Sequence, residues 1–233
     1  MASRIARAII SGVSQDRAAP GSLHWYHPAR AMTDQDPAIR AHYAKLALKR
    51  LRAYPEGKGA EIRERLGADL LAAVREVASP DWLPANDFVA ICEAIHGVLG
   101  EDATRVFWTD LMRDSYDHGL LKPLTMLAQQ SPGSAAAIRL LAMAPQAWRL
   151  SSRACGDIEM IEAAEEDGRS RFRGVDLIPE ILHSRGFICV FYGTCKAMLE
   201  LFKSRGEVRV LDHLPGGAER PQIAFEIVFQ RSP

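Results

Sequence analysis

The sequence predicts an α+β domain, with an N-terminal helical part packed against a four-stranded antiparallel sheet and a long apolar helix placed between two hairpins. Three observations carry this reading. Apolar residues recur at helical spacing in four segments between residues 36 and 117, each stopped by proline or glycine. Residues 186–204 form an apolar stretch that reads as one helix despite an internal Gly193. On either side of it lie paired runs of strand character, within residues 157–175 and 207–229.

The first helix is expected over residues 36–52, opened by Asp36-Pro37 and closed near Tyr54-Pro55, with Ile39, Tyr43 and Leu46 on its buried stripe. A second, over residues 60–78, aligns Ile62, Leu66, Leu70, Val74 and Val77 before Ser79-Pro80 stops it. The third follows Pro84 and carries Phe88, Ile91, Cys92, Ile95 and Leu99 up to Gly100. The fourth, residues 102–117, carries Phe107, Trp108, Leu111, Met112 and Tyr116. After a short apolar segment, Ser131-Pro132-Gly133-Ser134 turns into a fifth helix that Pro145 ends or kinks. Asp167-Gly168 then joins two strand-like runs. The last hairpin alternates most cleanly: Ile223, Phe225, Ile227 and Phe229 interleave with Ala224, Glu226 and Val228, opposite Val208 and Val210, with Leu214-Pro215-Gly216-Gly217 as the turn.

Residues 1–33 are set apart from the fold: Arg4, Arg7 and Arg17 with no acid before Asp16 give a transit-peptide-like composition, read either as a flexible extension, the reading favoured here, or as a targeting segment. Residues 34–233 are read as a single domain. Lys+Arg and Asp+Glu both number 29, which removes the basic field that nucleic-acid binding relies on. The four cysteines form no CxxC pair, so reduced thiols in the cytoplasm are expected. No apolar run approaches the roughly 20 residues that a membrane-spanning helix needs.

Motifs that carry chemistry are missing. His24 and His27 sit in a Pro-rich region without further metal donors, and His96 and His118 read as structural. There is no GxSxG elbow, no SxxK and no Walker loop, and Glu165-Glu166-Asp167 is best explained as a solvated turn tip. Two features remain. Arg169, Arg171 and Arg173 alternate onto one sheet face, with Arg185 close by, either as an anion site or as the charged guard of an edge strand, the reading favoured here. Trp108, Tyr116, Trp148, Phe187, Phe191 and Tyr192 supply aromatic surface which, with Met112, suits a small-molecule pocket whose mouth His183 and Arg185 would flank.

The order of elements, carried by Trp82-Leu83-Pro84 and its following helix, GVLGEDATRVFW, LIPEILHSRGFICVFYGTCKAMLEL, EVRVLDHL and FEIVF, resembles a paralogous domain family expanded in myxobacteria. More distantly it resembles the haem-nitric-oxide-binding domains and the 4-vinyl-reductase and TRAPP-like small-ligand fold. The haem-binding branch implies a proximal histidine on the helix before the first hairpin, but residues 135–143 read AAAIRLLAM. It also implies a Tyr-x-Ser-x-Arg clamp, where this chain has His183-Ser184-Arg185 and no tyrosine. No cofactor is therefore expected. The resemblance implies a non-enzymatic sensory or regulatory domain for a small apolar ligand or a protein partner. A haem-containing or enzymatic member of the same fold, and a homodimerising structural module, stay open as alternatives.

Overall fold

The computed structural model describes residues 33–131, 133–162, 168–211 and 223–229. The proposed extension at residues 1–33 therefore lies outside the described residues except for Thr33, as do His24, His27, residues 165–167 and the turn at residues 214–217.

The chain begins with a strand where a helix is expected. β1 (Ala38–Arg40) precedes α1 (Ala41–Arg52), and Asp36 does not cap a helix. Its carboxylate accepts the backbone N–H of Thr33 at 2.6 Å and so closes a turn. After α2 (Lys58–Glu76) comes β2 (Trp82–Pro84), in which Pro84 holds Leu83 extended. β2 and β3 (Ser152–Arg153) pair with β1 on its two sides, giving a small sheet of order β2-β1-β3. Arg40 faces Trp82 in that register and lays its guanidinium 3.7 Å from the indole centre. Residues 38–40 thus give up a helical turn for pairing with two segments remote in sequence, which buries Ala38 and Ile39.

α2 breaks at Gly67, whose φ of 74° only glycine takes readily. α3 (Ala85–Leu99) and α4 (Glu101–His118) follow as expected within a residue or two, separated by Gly100. The short apolar segment is itself helical, α5 (Lys122–Ala128). The expected fifth helix is two: α6 (Gly133–Ala142) and α7 (Ala144–Ser151). Pro145 opens α7, because proline in a first turn leaves vacant only an N–H that would lack a helical partner anyway.

The large sheet matches the expectation of four antiparallel strands. β4 (Asp157–Glu162) and β5 (Arg169–Val175) form the first hairpin, β6 (Gly206–Leu211) and β7 (Ala224–Phe229) the second, and the order is β4-β5-β7-β6. The hairpins meet where Phe172 pairs with Phe225, the two rings stacked 5.3 Å apart. Between the hairpins run α8 (Pro179–His183) and α9 (Arg185–Leu201).

β5 is an interior strand, so the edge-guard reading of its arginines is corrected. They balance carboxylates on the outer sheet face. Arg171 grips the buried Glu226 through Nε at 2.9 Å and Nη2 at 2.8 Å, Arg209 reaches its other oxygen at 3.5 Å, and Arg173 pairs with Glu159 at 3.0 Å. Arg169 lies 3.7 Å from Glu226. Glu226 is buried only because guanidinium groups cover it; an uncompensated carboxylate at that position would be too costly to keep ionised.

Candidate functional site: an apolar cavity along α9

α9 has two unlike faces. Gly186, Cys189, Gly193 and Ala197 form a stripe of small side chains, and a Cβ on Gly193 would fall 2.7 Å from the backbone of Trp108 and Thr109 in α4. A Cβ on Gly186 would collide with the Cys92 carbonyl of α3. These glycines let the helix lie directly on two other backbones. Its N-terminus is fixed there too. The Ser184 hydroxyl accepts the Phe187 N–H at 2.9 Å, and one oxygen of Glu93 in α3 accepts both the Ser184 hydroxyl and, at 2.8 Å, the Gly186 N–H.

The opposite face carries Phe187, Val190, Phe191, Thr194, Cys195 and Met198, and this stripe walls an apolar cavity of about 110 Å³. The other walls come from α7, α4, α6, α5, the sheet and the first strand and helix, with Leu121 from the turn before α5. α7 contributes Ala144, Ala147, Trp148 and Ser151, spaced as one helical face, and α4 contributes Met112 and Tyr116 one turn apart. Leu140 and Leu141 come from α6, Leu124 from α5, Ile158 and Phe172 from the inner sheet face, and Ile39 and Tyr43 from β1 and α1. The rings pack edge to face or tilted: Trp148 lies 5.4 Å from Phe191 and 6.3 Å from Phe187. Trp148 is held in place by its indole N–H, donated to the Gly156 carbonyl at 2.8 Å.

Among the described residues the cavity wall contains no arginine, lysine, histidine, aspartate or glutamate. Its polar side-chain groups are the hydroxyls of Tyr43, Tyr116, Ser151 and Thr194, the Cys195 thiol and the Trp148 indole N–H that is already donated to Gly156. Burial pushes the Tyr43 phenol up to about 12, the Ser151 and Ser115 hydroxyls pulling the other way. Burial likewise raises the Tyr116 phenol and the Cys195 thiol far above their usual ranges. All three are therefore neutral at physiological pH, and the described wall residues carry no charge.

Of the residues singled out from the sequence, Met112, Tyr116, Trp148, Phe187 and Phe191 line this cavity. The other four do not. Trp108 is fully buried against Phe88 and Phe107, and its indole N–H has no hydrogen-bond partner among the described residues. Tyr192 lies on the far side of α9, in a surface groove beneath the Arg105 guanidinium, 4.6 Å away. His183 and Arg185 flank the α8–α9 junction and are exposed. Sequence reasoning did not single out Tyr43, Ser151, Thr194 or Cys195 as site residues. The spacing of Ala144, Ala147, Trp148 and Ser151 was the available signal for the α7 wall, hidden by reading Pro145 as the end of a helix. Among the described residues no three histidine, cysteine, aspartate or glutamate side chains gather as metal ligands, and no helix is long and apolar enough to cross a membrane.

No family model matches the sequence, and no curated protein does. Solved structures do. An Fe(II) unliganded H-NOX protein mutant from K. algicida superposes with a TM-score of 0.56 at 10% identity, over 83% of this chain and 98% of that one. A Cs H-NOX mutant containing 4-cyano-L-phenylalanine gives 0.55 at 12% identity over 83% and 97%. An H-NOX structure used to probe haem distortion gives 0.51 at 12% identity over 84% and 97%. At such identities the likeness is one of fold: this chain has the helix, hairpin, helix, hairpin architecture of the H-NOX proteins over nearly their whole length.

Proposed function

We propose that the chain is a sensory, ligand-binding domain whose cargo is a compact uncharged apolar molecule held against α9. The carrying observation is the cavity itself. Interiors pack at crystal-like density, with few voids larger than a water molecule, so a space of about 110 Å³ walled by six aromatic side chains departs from the rest of this core. Architecture of the H-NOX type supports the sensory part of the reading.

Haem, the group that the fold brings to mind, does not suit these residues. The helix that directly precedes the first hairpin is α7 and not the segment at residues 135–143, yet it too lacks histidine and turns Trp148 toward the cavity. Among the described residues the cavity wall has no cation to meet propionates, and the cavity's volume is well below the roughly 300 Å³ at which pockets begin to admit drug-sized molecules. Burial keeps the Cys195 thiol and the two phenols protonated, whereas iron is ligated by the anions. Met112 and Met198 are left without a histidine to complete a six-coordinate pair.

The reading is tested by native mass spectrometry on protein purified from its own host, together with titration by haemin. The expected result is a co-purifying or exchangeable small molecule and no Soret band beyond free haemin. Stoichiometric haemin uptake with a shifted Soret band would overturn it.

A further inference from the structure

We infer that the cavity takes a neutral, single-ring aromatic molecule bearing one hydroxyl, of the size of phenol, and that the Tyr43–Ser151 hydroxyl pair receives that hydroxyl; this rests on the cavity being the ligand site.

Size sets the first limit. An engineered apolar cavity of about 150 Å³ is known to hold benzene, and at about 110 Å³ this one belongs to the same class, with no room for a second fused ring. Flexible Met112 and Met198 in the wall allow a small adjustment to a substituent. Wall chemistry sets the second. Trp148, Phe172, Phe187 and Phe191 present ring faces and edges, which favour an aromatic guest over a saturated one of equal volume. With no charged side chain among the described wall residues, an ionised guest would meet no counter-charge there.

The polar atoms decide the third. Tyr116 donates its hydroxyl to the Thr194 carbonyl at 3.3 Å, and Thr194 donates its own to the Val190 carbonyl at 2.8 Å. These two donors are committed to backbone. Tyr43 and Ser151 instead bond to each other at 2.9 Å, from α1 and from the last residue of α7. All four hydroxyls keep acceptor lone pairs, but Tyr116 and Thr194 have spent their protons on backbone, whereas the bond shared by Tyr43 and Ser151, beside the Ser115 hydroxyl, uses only one of that pair's two protons, so this cluster can both accept a guest O–H and donate to its oxygen. It is the point on an otherwise greasy wall where a guest hydroxyl costs least to bury and where it fixes the guest's orientation.

The test is calorimetric titration of extensively dialysed protein with benzene, phenol and 2-naphthol. Phenol should bind about 2- to 10-fold more tightly than benzene, the range that one net hydrogen bond supplies, and 2-naphthol should not bind. Tyr43→Phe should bring phenol to parity with benzene while leaving benzene affinity within about 2-fold, and Ser151→Ala should do the same, which covers the case where one variant folds poorly. Equal affinity for benzene and phenol in the unsubstituted protein would overturn the hydroxyl assignment and leave the cavity standing as a site. Binding of 2-naphthol would overturn the size limit. Binding of none of the three would overturn the ligand-site reading and this inference with it.

Discussion

One face of α9 meets backbone with no clearance, while its other face leaves a void large enough for an aromatic ring. Both faces belong to the same 17-residue helix and repeat at the same helical spacing. They differ in what the repeat holds: Gly186 and Gly193 on one side, Phe187, Phe191 and Met198 on the other. The contrast teaches that the void does not come from loose packing of the helix as a whole. Pinning α9 on α3 and α4, and fixing its start through Glu93, sets the distance across which its bulky side chains face α7 and the sheet. Those side chains then stop short of filling it.

The largest effect should come from breaking the tight side. Gly186→Ala places a methyl group into the Cys92 carbonyl, backbone that cannot swing away, and should cost about 3 kcal/mol, the upper part of the range for overpacking. Gly193→Ala meets the Trp108–Thr109 backbone and should cost nearly as much. Thermal unfolding should show midpoints roughly 6–12 °C lower, since a domain of this size shifts about 2–4 °C per kcal/mol.

The next effect measures how dry the cavity side is. Burial raises the Tyr43 phenol from 10.0 to about 12, so the folded state keeps that proton after the unfolded chain has released it. Its contribution to stability is fully present below pH 10 and is lost as pH rises through 12. Urea unfolding at pH 9 and pH 11.5 should show a loss of about 2 kcal/mol from this group, and Tyr43→Phe should remove that part of the decline. An identical decline in the variant would mean that the phenol titrates as it does in water, and that the cavity side is wet.

How far these faces are legible in the sequence follows from the range of the interactions behind them. α9 and the two hairpins are set by local periodicity, 3.6 in one and 2 in the other, and both can be read directly. The small sheet cannot. Its strands are two or three residues long, and its pairings join residue 38 to residues 84 and 153. The row Arg169, Arg171, Arg173 is legible as a row, but its meaning depends on Glu226, which lies 55 residues beyond Arg171 and becomes its cross-strand neighbour only when the hairpins dock. The cavity stands between these cases. Its aromatic residues announce themselves by type, whereas Tyr43 and Ser151, 108 residues apart, gain their role only through contact.

A smaller effect is expected from filling the void. Ala147→Leu adds three carbons to a wall residue of α7 and should change stability by less than about 1 kcal/mol in either direction, because lost space is offset by newly buried apolar surface. The same variant should abolish benzene binding. A penalty as large as that of Gly186→Ala would mean that the two faces of α9 are packed alike.

The smallest effect has the opposite sign and serves as the control for the first. Gly97 lies within α3 on an exposed face, and a Cβ there would meet only the tip of the Arg65 side chain, 3.3 Å away. Arg65 can move aside, so Gly97→Ala should show the ordinary gain of replacing glycine by alanine inside a helix, about 0.5–1 kcal/mol. The three helix glycines at 97, 186 and 193 share the same intrinsic cost and differ in what stands opposite them. If Gly97→Ala raises the unfolding midpoint while Gly186→Ala and Gly193→Ala lower it, the losses at α9 measure backbone contact and not helix propensity. If all three move in one direction, the tight face of α9 is not what sets the helix's place, and the void on its other side needs a different cause.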